Sequence, residues 1–141
     1  MSIQKSEVLY TAVATAENGR DGRVSTDDGR LDVVVNPPKE MGGSGAGTNP
    51  EQLFAAGYSA CFQGALGVVA RNEKADISGS TVTAHVGIGK NDDGFGIHVE
   101  ITASIPNVDR ATAQDLIEKA HQVCPYSKAT RGNITVNLAV A

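Results

Sequence analysis

The chain has 141 residues, the length of one domain, so a single hydrophobic core over residues 1–141 is expected and a multidomain arrangement is excluded. Twelve Lys and Arg against sixteen Asp and Glu leave a formal net charge of −4 with no basic cluster, which excludes the electrostatic footprint of a nucleic-acid or anionic-membrane binder. Trp is absent and aromatics are only 4%, so Val, Ile, Leu and Ala must fill the core; two Cys are too few for a disulfide-stapled scaffold. Residues 1–10 carry Lys5 and Glu7 and lack the apolar run of a secretion signal, so the expected compartment is a reducing cytoplasm.

In chain order, residues 7–15 and 31–35 read as strands joined through the polar, Gly-containing segment 17–29. Pro37-Pro38 and the glycines of residues 42–47 follow as a loop. Its order, Gly43-Ser44-Gly45-Ala46-Gly47, matches neither the phosphate-binding P-loop nor GxGxxG, and it reads as a flexible connector. A long helix is expected over residues 49–71, with Asn49 as N-cap, Pro50 at the first helical position and Gln52 placed to reach back toward the cap. Its uncharged stretch, 52–70, is long enough to raise a transmembrane question. Gln52, Ser59, Gln63, Gly57, Gly64 and Gly67 dilute it and no basic cluster flanks it, so the reading is a buried central helix of a soluble domain. Ala56, Ala60, Gly64 and Gly67 recur along it as a small-residue stripe suited to close backbone packing.

Beyond this helix the period changes to two. Val82, Ala84, Val86 and Ile88 alternate with polar or small residues, Asn91-Asp92-Asp93-Gly94 supplies a turn, and Ile97, Val99, Ile101, Ala103 and Ile105 alternate again, which predicts a β-hairpin. A second helix fits residues 109–124, with Ala113, Leu116, Ile117, Ala120 and Cys124 on one face and Pro125 as its stop. Ile134, Val136, Leu138 and Val140 form a last strand. The fold class expected is α+β, an antiparallel sheet wrapped around a long buried central helix.

Candidate chemistry is sparse. His85, His98 and His121 have no carboxylate or Cys at metal-ligand spacing, so no metal site is expected and each is read as solvent-facing. Cys61, in the most buried helix, and Cys124, at a helix end near the surface, are by composition small hydrophobes. Their 63-residue separation lets them meet across elements, yet spacing alone favours a packing role for each over a redox pair.

Longer segments change that balance. The run from Gly45 through Asn49-Pro50-Glu51-Gln52-Leu53-Phe54 to Tyr58-Ser59-Ala60-Cys61-Phe62, together with Val123-Cys124-Pro125-Tyr126-Ser127-Lys128-Ala129-Thr130-Arg131-Gly132-Asn133, closely resembles the organic hydroperoxide resistance (Ohr) branch of the Ohr/OsmC family. Gly19-Arg20-Asp21-Gly22 and the segment 108–114 match as well, so the resemblance spans nearly the whole chain; the glycine loop is about one residue shorter than the commonest form.

The resemblance implies an OsmC-like intertwined homodimer and a thiol peroxidase that reduces organic hydroperoxides, fatty-acid hydroperoxides included, to alcohols. Cys61 matches the peroxidatic Cys, Cys124 the resolving Cys, Arg20 the activating arginine and Glu51 the carboxylate that holds it. It further implies no bound cofactor, and re-reduction by dihydrolipoyl groups of a lipoylated protein. The chemistry is coherent: a Cys at pKa about 8.5 is only about 3% thiolate at pH 7, and a nearby guanidinium can raise the reactive fraction roughly thirtyfold. Arg23 competes with Arg20 for this role, and Glu51 equally suits a helix-dipole partner in the first turn. On one continuous helix Glu51 and Cys61 lie roughly 15 Å apart along the axis, which suggests that an Arg20–Glu51 pair serving Cys61 comes partly from a second subunit. Phe54, Tyr58 and Phe62 would then line an apolar substrate pocket. A non-enzymatic protein of the same fold that binds a hydrophobic ligand is the alternative.

Overall fold

The computed structural model describes residues 7–141 and divides the chain into two compact units, Met1–Pro50 and Glu51–Ala141. The first part of the N-terminal segment discussed above, residues 1–6, lies outside the described residues.

The first unit is a meander of β1 (Ala14–Glu17), β2 (Gly22–Thr26) and β3 (Asp32–Val35), antiparallel in the order β1-β2-β3. Ala14 pairs with Thr26 and Glu17 with Arg23; Gly22 pairs with Val35 and Ser25 with Asp32. Two expectations are corrected. Residues 7–13 form no strand, and Val8, Leu9 and Tyr10 are highly exposed, because an alternating pattern makes a strand only where a neighbouring strand accepts its hydrogen bonds. The polar segment 17–29 instead contains β2, whose single aliphatic residue, Val24, conceals a strand secured on both sides by its neighbours. The glycine loop is also no loose tether. After a 3-10 turn at Lys39–Met41, the Gly43 and Gly45 amides bond Pro38 and Pro37 carbonyls at 3.0 Å each. A Cβ on Gly43 would stand 2.1 Å from the Pro37 carbonyl oxygen, so the glycine is required by close approach. Thr48 then bridges alongside Val35 and leads the chain into the helix.

The second unit begins with α1 (Pro50–Glu73), which starts at the expected proline and runs two residues beyond the expected end. The hairpin β4 (Thr81–Asn91) and β5 (Gly94–Ser104) pairs in full register from Thr81–Ser104 to Asn91–Gly94. Next come α2 (Arg110–Val123), α3 (Pro125–Thr130) and β6 (Val136–Val140). Asp109 caps α2 by accepting the Thr112 amide at 2.7 Å. The sheet order is β4-β5-β6, and β6 runs parallel to β5 with Val99 beside Val136, which corrects the wholly antiparallel expectation. The helical crossover through α2 and α3 brings the chain back to the end where β5 began, and only a parallel partner fits that return.

Alternate residues of the sheet point at the helices. Val99, Ile101 and Ala103 meet Tyr58, Phe62 and Leu66 of α1 and Leu116, Ile117 and Ala120 of α2 in one cluster of almost wholly inaccessible side chains. The α2 face is the one expected. By length and composition α1 is apolar enough to cross a membrane, yet one side of it is core: Tyr58, Phe62, Ala65, Leu66, Val69 and Ala70 are buried. Its other side carries the small-residue stripe, where Ala56, Ala60 and Gly64 are exposed and a Cβ on Gly64 would touch nothing within 4 Å. The expected central helix is thus buried on one face within this chain, where one sheet and one helical layer cover it.

Candidate active site

α1 and the α2–α3 corner bring the two cysteines together. Cys61 lies in the middle of α1, half-buried, and Cys124 joins α2 to α3 with no exposed surface. Their sulfurs are 3.5 Å apart, the Cys124 thiol donating to Cys61 Sγ, within about 1.5 Å of disulfide bonding distance. Cys124 was expected near the surface because Pro125 should end the helix there. Pro125 does end α2, but its fixed φ also suits the first position of a new helix, so α3 follows directly and Cys124 is buried at the junction.

Burial pushes the Cys61 thiol above its ordinary pKa, and the adjoining Cys124 adds to the rise. The Tyr126 backbone N–H, in the first turn of α3, opposes it by hydrogen-bonding the sulfur. A negative sulfur is favoured by such a donor, so the corner supplies one stabilising contact for a thiolate that its apolar surroundings disfavour.

The Tyr126 side chain continues from there. Its ring centroid is 5.7 Å from that of Tyr58 and 6.1 Å from that of Phe54, and Phe54 stands edge-on to Tyr58 at 5.9 Å. Gly57 makes room for this stack: a Cβ there would come within 2.8 Å of the Tyr126 hydroxyl. Phe54, Tyr126, Pro125, Ala129, Ile97 and Ile134 line a predominantly apolar cavity of about 550 Å³, large enough for a small hydrocarbon-bearing molecule. Through Tyr126 this cavity adjoins Cys61.

Of the residues singled out in the sequence, Cys61, Cys124 and Phe54 therefore gather around one corner. Tyr58 and Phe62 are fully buried in the core and do not line this cavity; Tyr58 contributes its ring to the stack and its hydroxyl to Ser127 and Thr130, at 2.8 and 2.9 Å. Glu51 stands in the first turn of α1, ten residues before Cys61 on the same helix. Arg20 belongs to the first unit, exposed in the turn between β1 and β2. Arg23, its competitor, is held in a forked pair by Asp32, with Nε and Nη2 donating at 2.7 and 2.6 Å, which gives it a structural use across the sheet.

His85 and His98 are exposed on the sheet, as expected, but His121 is not simply solvent-facing. It is half-buried in the last turn of α2, its Nδ1 is 2.8 Å from Ser127 Oγ, and burial together with the positive Arg131 pushes its pKa down. His121, Tyr126, Ser127 and Thr130, to which the sequence assigned no role in the site, all pack about the helix junction at Pro125. A proline one residue after an apolar Cys, followed by five helix-compatible residues, was the available signal.

The comparisons with known proteins agree with this architecture. Residues 42–139 match the family described as OsmC-like protein. The chain is 54% identical over 137 residues to an organic hydroperoxide resistance protein of Xanthomonas axonopodis pv. citri, covering 96% of each. The crystal structure of an organic hydroperoxide resistance protein from Elizabethkingia anophelis superposes with a TM-score of 0.90 at 55% identity, covering 96% of this chain and 99% of that one. OhrB of Bacillus subtilis gives 0.87 at 45% identity, with 95% and 100% covered. The chain therefore belongs to the OsmC-like family. Within that family the chain belongs to the organic hydroperoxide resistance proteins.

Proposed function

We propose that this protein reduces organic hydroperoxides to alcohols with Cys61 as nucleophile and Cys124 as resolving thiol, in defence against oxidative stress. The observation that carries the reading is the 3.5 Å sulfur–sulfur contact beside an apolar cavity, in a chain whose close relatives are named for organic hydroperoxide resistance. The Cys61 thiolate attacks the distal peroxide oxygen; the O–O bond breaks, an S–O bond forms, and the alkoxide takes a proton and leaves as alcohol. Cys124 then attacks the sulfenic sulfur, an S–S bond replaces S–O, and the oxygen departs as water. The resulting Cys61–Cys124 disulfide is reopened by a dithiol, for which we assign the dihydrolipoyl group of a lipoylated protein. No bound cofactor or metal takes part.

Phe54 supplies apolar surface for the hydrocarbon tail, with Tyr58 and Phe62 backing the wall from the core. Arg20 is assigned as the cation that lowers the Cys61 pKa and Glu51 as the carboxylate that orients it, by their match to the family motif. The working unit is a single domain in a homodimer, located in the cytoplasm. The unpartnered small-residue face of α1 and the exposed apolar residues Val8, Leu9, Tyr10 and Val34 support a second copy as their cover.

The direct experiment is the intact mass after one equivalent of cumene hydroperoxide, expected to fall by two hydrogens as the disulfide forms. No change in mass would favour a non-enzymatic protein that binds a hydrophobic ligand. Turnover in the presence of dihydrolipoamide should favour cumene hydroperoxide over hydrogen peroxide by at least about a hundredfold in kcat/KM, since a hydrocarbon group placed in an apolar cavity contributes several kcal/mol. Equal rates on the two peroxides would remove the cavity from the mechanism.

A further inference from the structure

The polar side chains around the α2–α3 corner form a single directed chain of hydrogen bonds. The Thr130 hydroxyl donates to the Ser127 carbonyl oxygen at 3.2 Å, which uses its only proton. With that bond in place, Thr130 Oγ1 accepts from the Tyr58 hydroxyl at 2.9 Å, which uses the Tyr58 proton. Tyr58 in turn accepts from Ser127 Oγ at 2.8 Å, and Ser127, its proton spent, accepts from His121 Nδ1–H at 2.8 Å. In that arrangement His121 donates from Nδ1 and no hydroxyl in the chain is unsatisfied. Tyr58 and Ser127 are wholly buried and Thr130 nearly so, so each missing partner would leave a polar group stranded in the core. Arg131 adds a clasp by donating to the His121 carbonyl oxygen.

This chain joins three elements: α2 at His121, α1 at Tyr58, and α3 at Ser127 and Thr130. Cys61 is one turn along α1 from Tyr58, and Cys124 stands between His121 and Ser127. The geometry points to His121 and Tyr58 as positioning residues for disulfide formation: with Ser127 and Thr130 they brace the corner so that Cys124 Sγ stays within reach of Cys61. The brace deepens the proposed peroxidase reading and takes its biological setting from it. In the step it serves, the Cys61 sulfenic sulfur is reduced and the Cys124 sulfur oxidised as S–S replaces S–O and water leaves. A misplacement of about 1 Å between reacting atoms costs up to a hundredfold in rate.

The test uses no hydroperoxide and so stands apart from the peroxidase assay. With dithiobis(nitrobenzoate), the accessible Cys61 displaces one nitrothiobenzoate, and Cys124, too buried to meet the reagent, displaces the second from within the mixed disulfide. His121→Leu is expected to leave the first release within about twofold of the parent and to slow the second at least about tenfold, and in Tyr58→Phe the ratio of second to first rate should fall by about as much. His121→Asn has nearly the shape of the Leu variant but keeps an N–H near the Nδ1 position, and is expected to restore the second phase. A second release as fast in His121→Leu as in the parent would overturn the proposal. So would His121→Asn as slow as His121→Leu, because shape rather than the hydrogen bond would then be the cause. Tyr58→Phe reads the same brace from its other end, and an unimpaired second phase in that variant would count equally against it.

Discussion

Cys61→Ser is expected to abolish hydroperoxide reduction, lowering the rate by at least about a thousandfold, with consumption of cumene hydroperoxide by the dithiol-coupled protein as the measurement. A serine hydroxyl at neutral pH offers no significant anion, whereas a thiol can be ionised by its surroundings. Cys61 is half-buried, so the substitution should leave the melting temperature near that of the parent and the loss will be chemical. The surroundings within its own unit make the ionisation costly: burial and Cys124 raise the pKa, and the Tyr126 N–H opposes them. A nearby cation would oppose that rise, and Arg20→Ala checks whether Arg20 is that cation. Without the guanidinium, the reaction of Cys61 with iodoacetamide should climb about tenfold per pH unit from pH 6 to pH 8, because the reactive anion is still the minor form throughout that window. The parent should level off within it. Superimposable profiles would remove Arg20 from the activating role.

Cys124→Ala is expected to separate the two chemical steps. Alanine is the informative replacement, since serine would place a hydroxyl without a partner at a position with no exposed surface, at a cost of about 1–3 kcal/mol. One equivalent of hydroperoxide should still be reduced at close to the parental rate, because Cys124 stands beside Cys61 and does not carry out the first attack. Turnover with dihydrolipoamide should fall by about tenfold or more, and excess hydroperoxide should add two oxygens to Cys61 as the sulfinic acid. Mass spectrometry after a hydroperoxide titration distinguishes the outcomes. A variant that turns over normally and resists overoxidation would show that resolution does not pass through Cys124.

Much of the second unit was legible before its coordinates. Strict alternation from Val82 to Ile105 around Asn91–Gly94 specifies a hairpin and its register, because a slip of one residue would turn Val99 and Ile101 out of the core. The period of α2 specified its buried face, and Asn49-Pro50 the start of α1. Other elements were hidden for identifiable reasons. β2 has one aliphatic residue and owes its strand to partners on both sides; residues 7–13 have the alternation but no ladder. α3 was missed because a proline that ends one helix can begin another. The parallel β6 follows from the path of two helices, which local patterning does not record.

The active site divides in the same way. The segments around Cys61 and Cys124 identify the family from residue order alone, since their length and specificity leave little to coincidence, and composition excludes a disulfide scaffold outright. Sequence also determined which side of the hairpin and of α2 would be apolar, because hydrophobic burial follows periodicity along one element. Tertiary structure decided what depends on separate elements meeting: the 3.5 Å approach of two sulfurs 63 residues apart, the raised thiol pKa, the pairing of Arg23 with Asp32, and the enlistment of His121 into a buried chain with Tyr58. Those properties arise from distance and desolvation, and both are set only when α1 and the α2–α3 corner close on a common core.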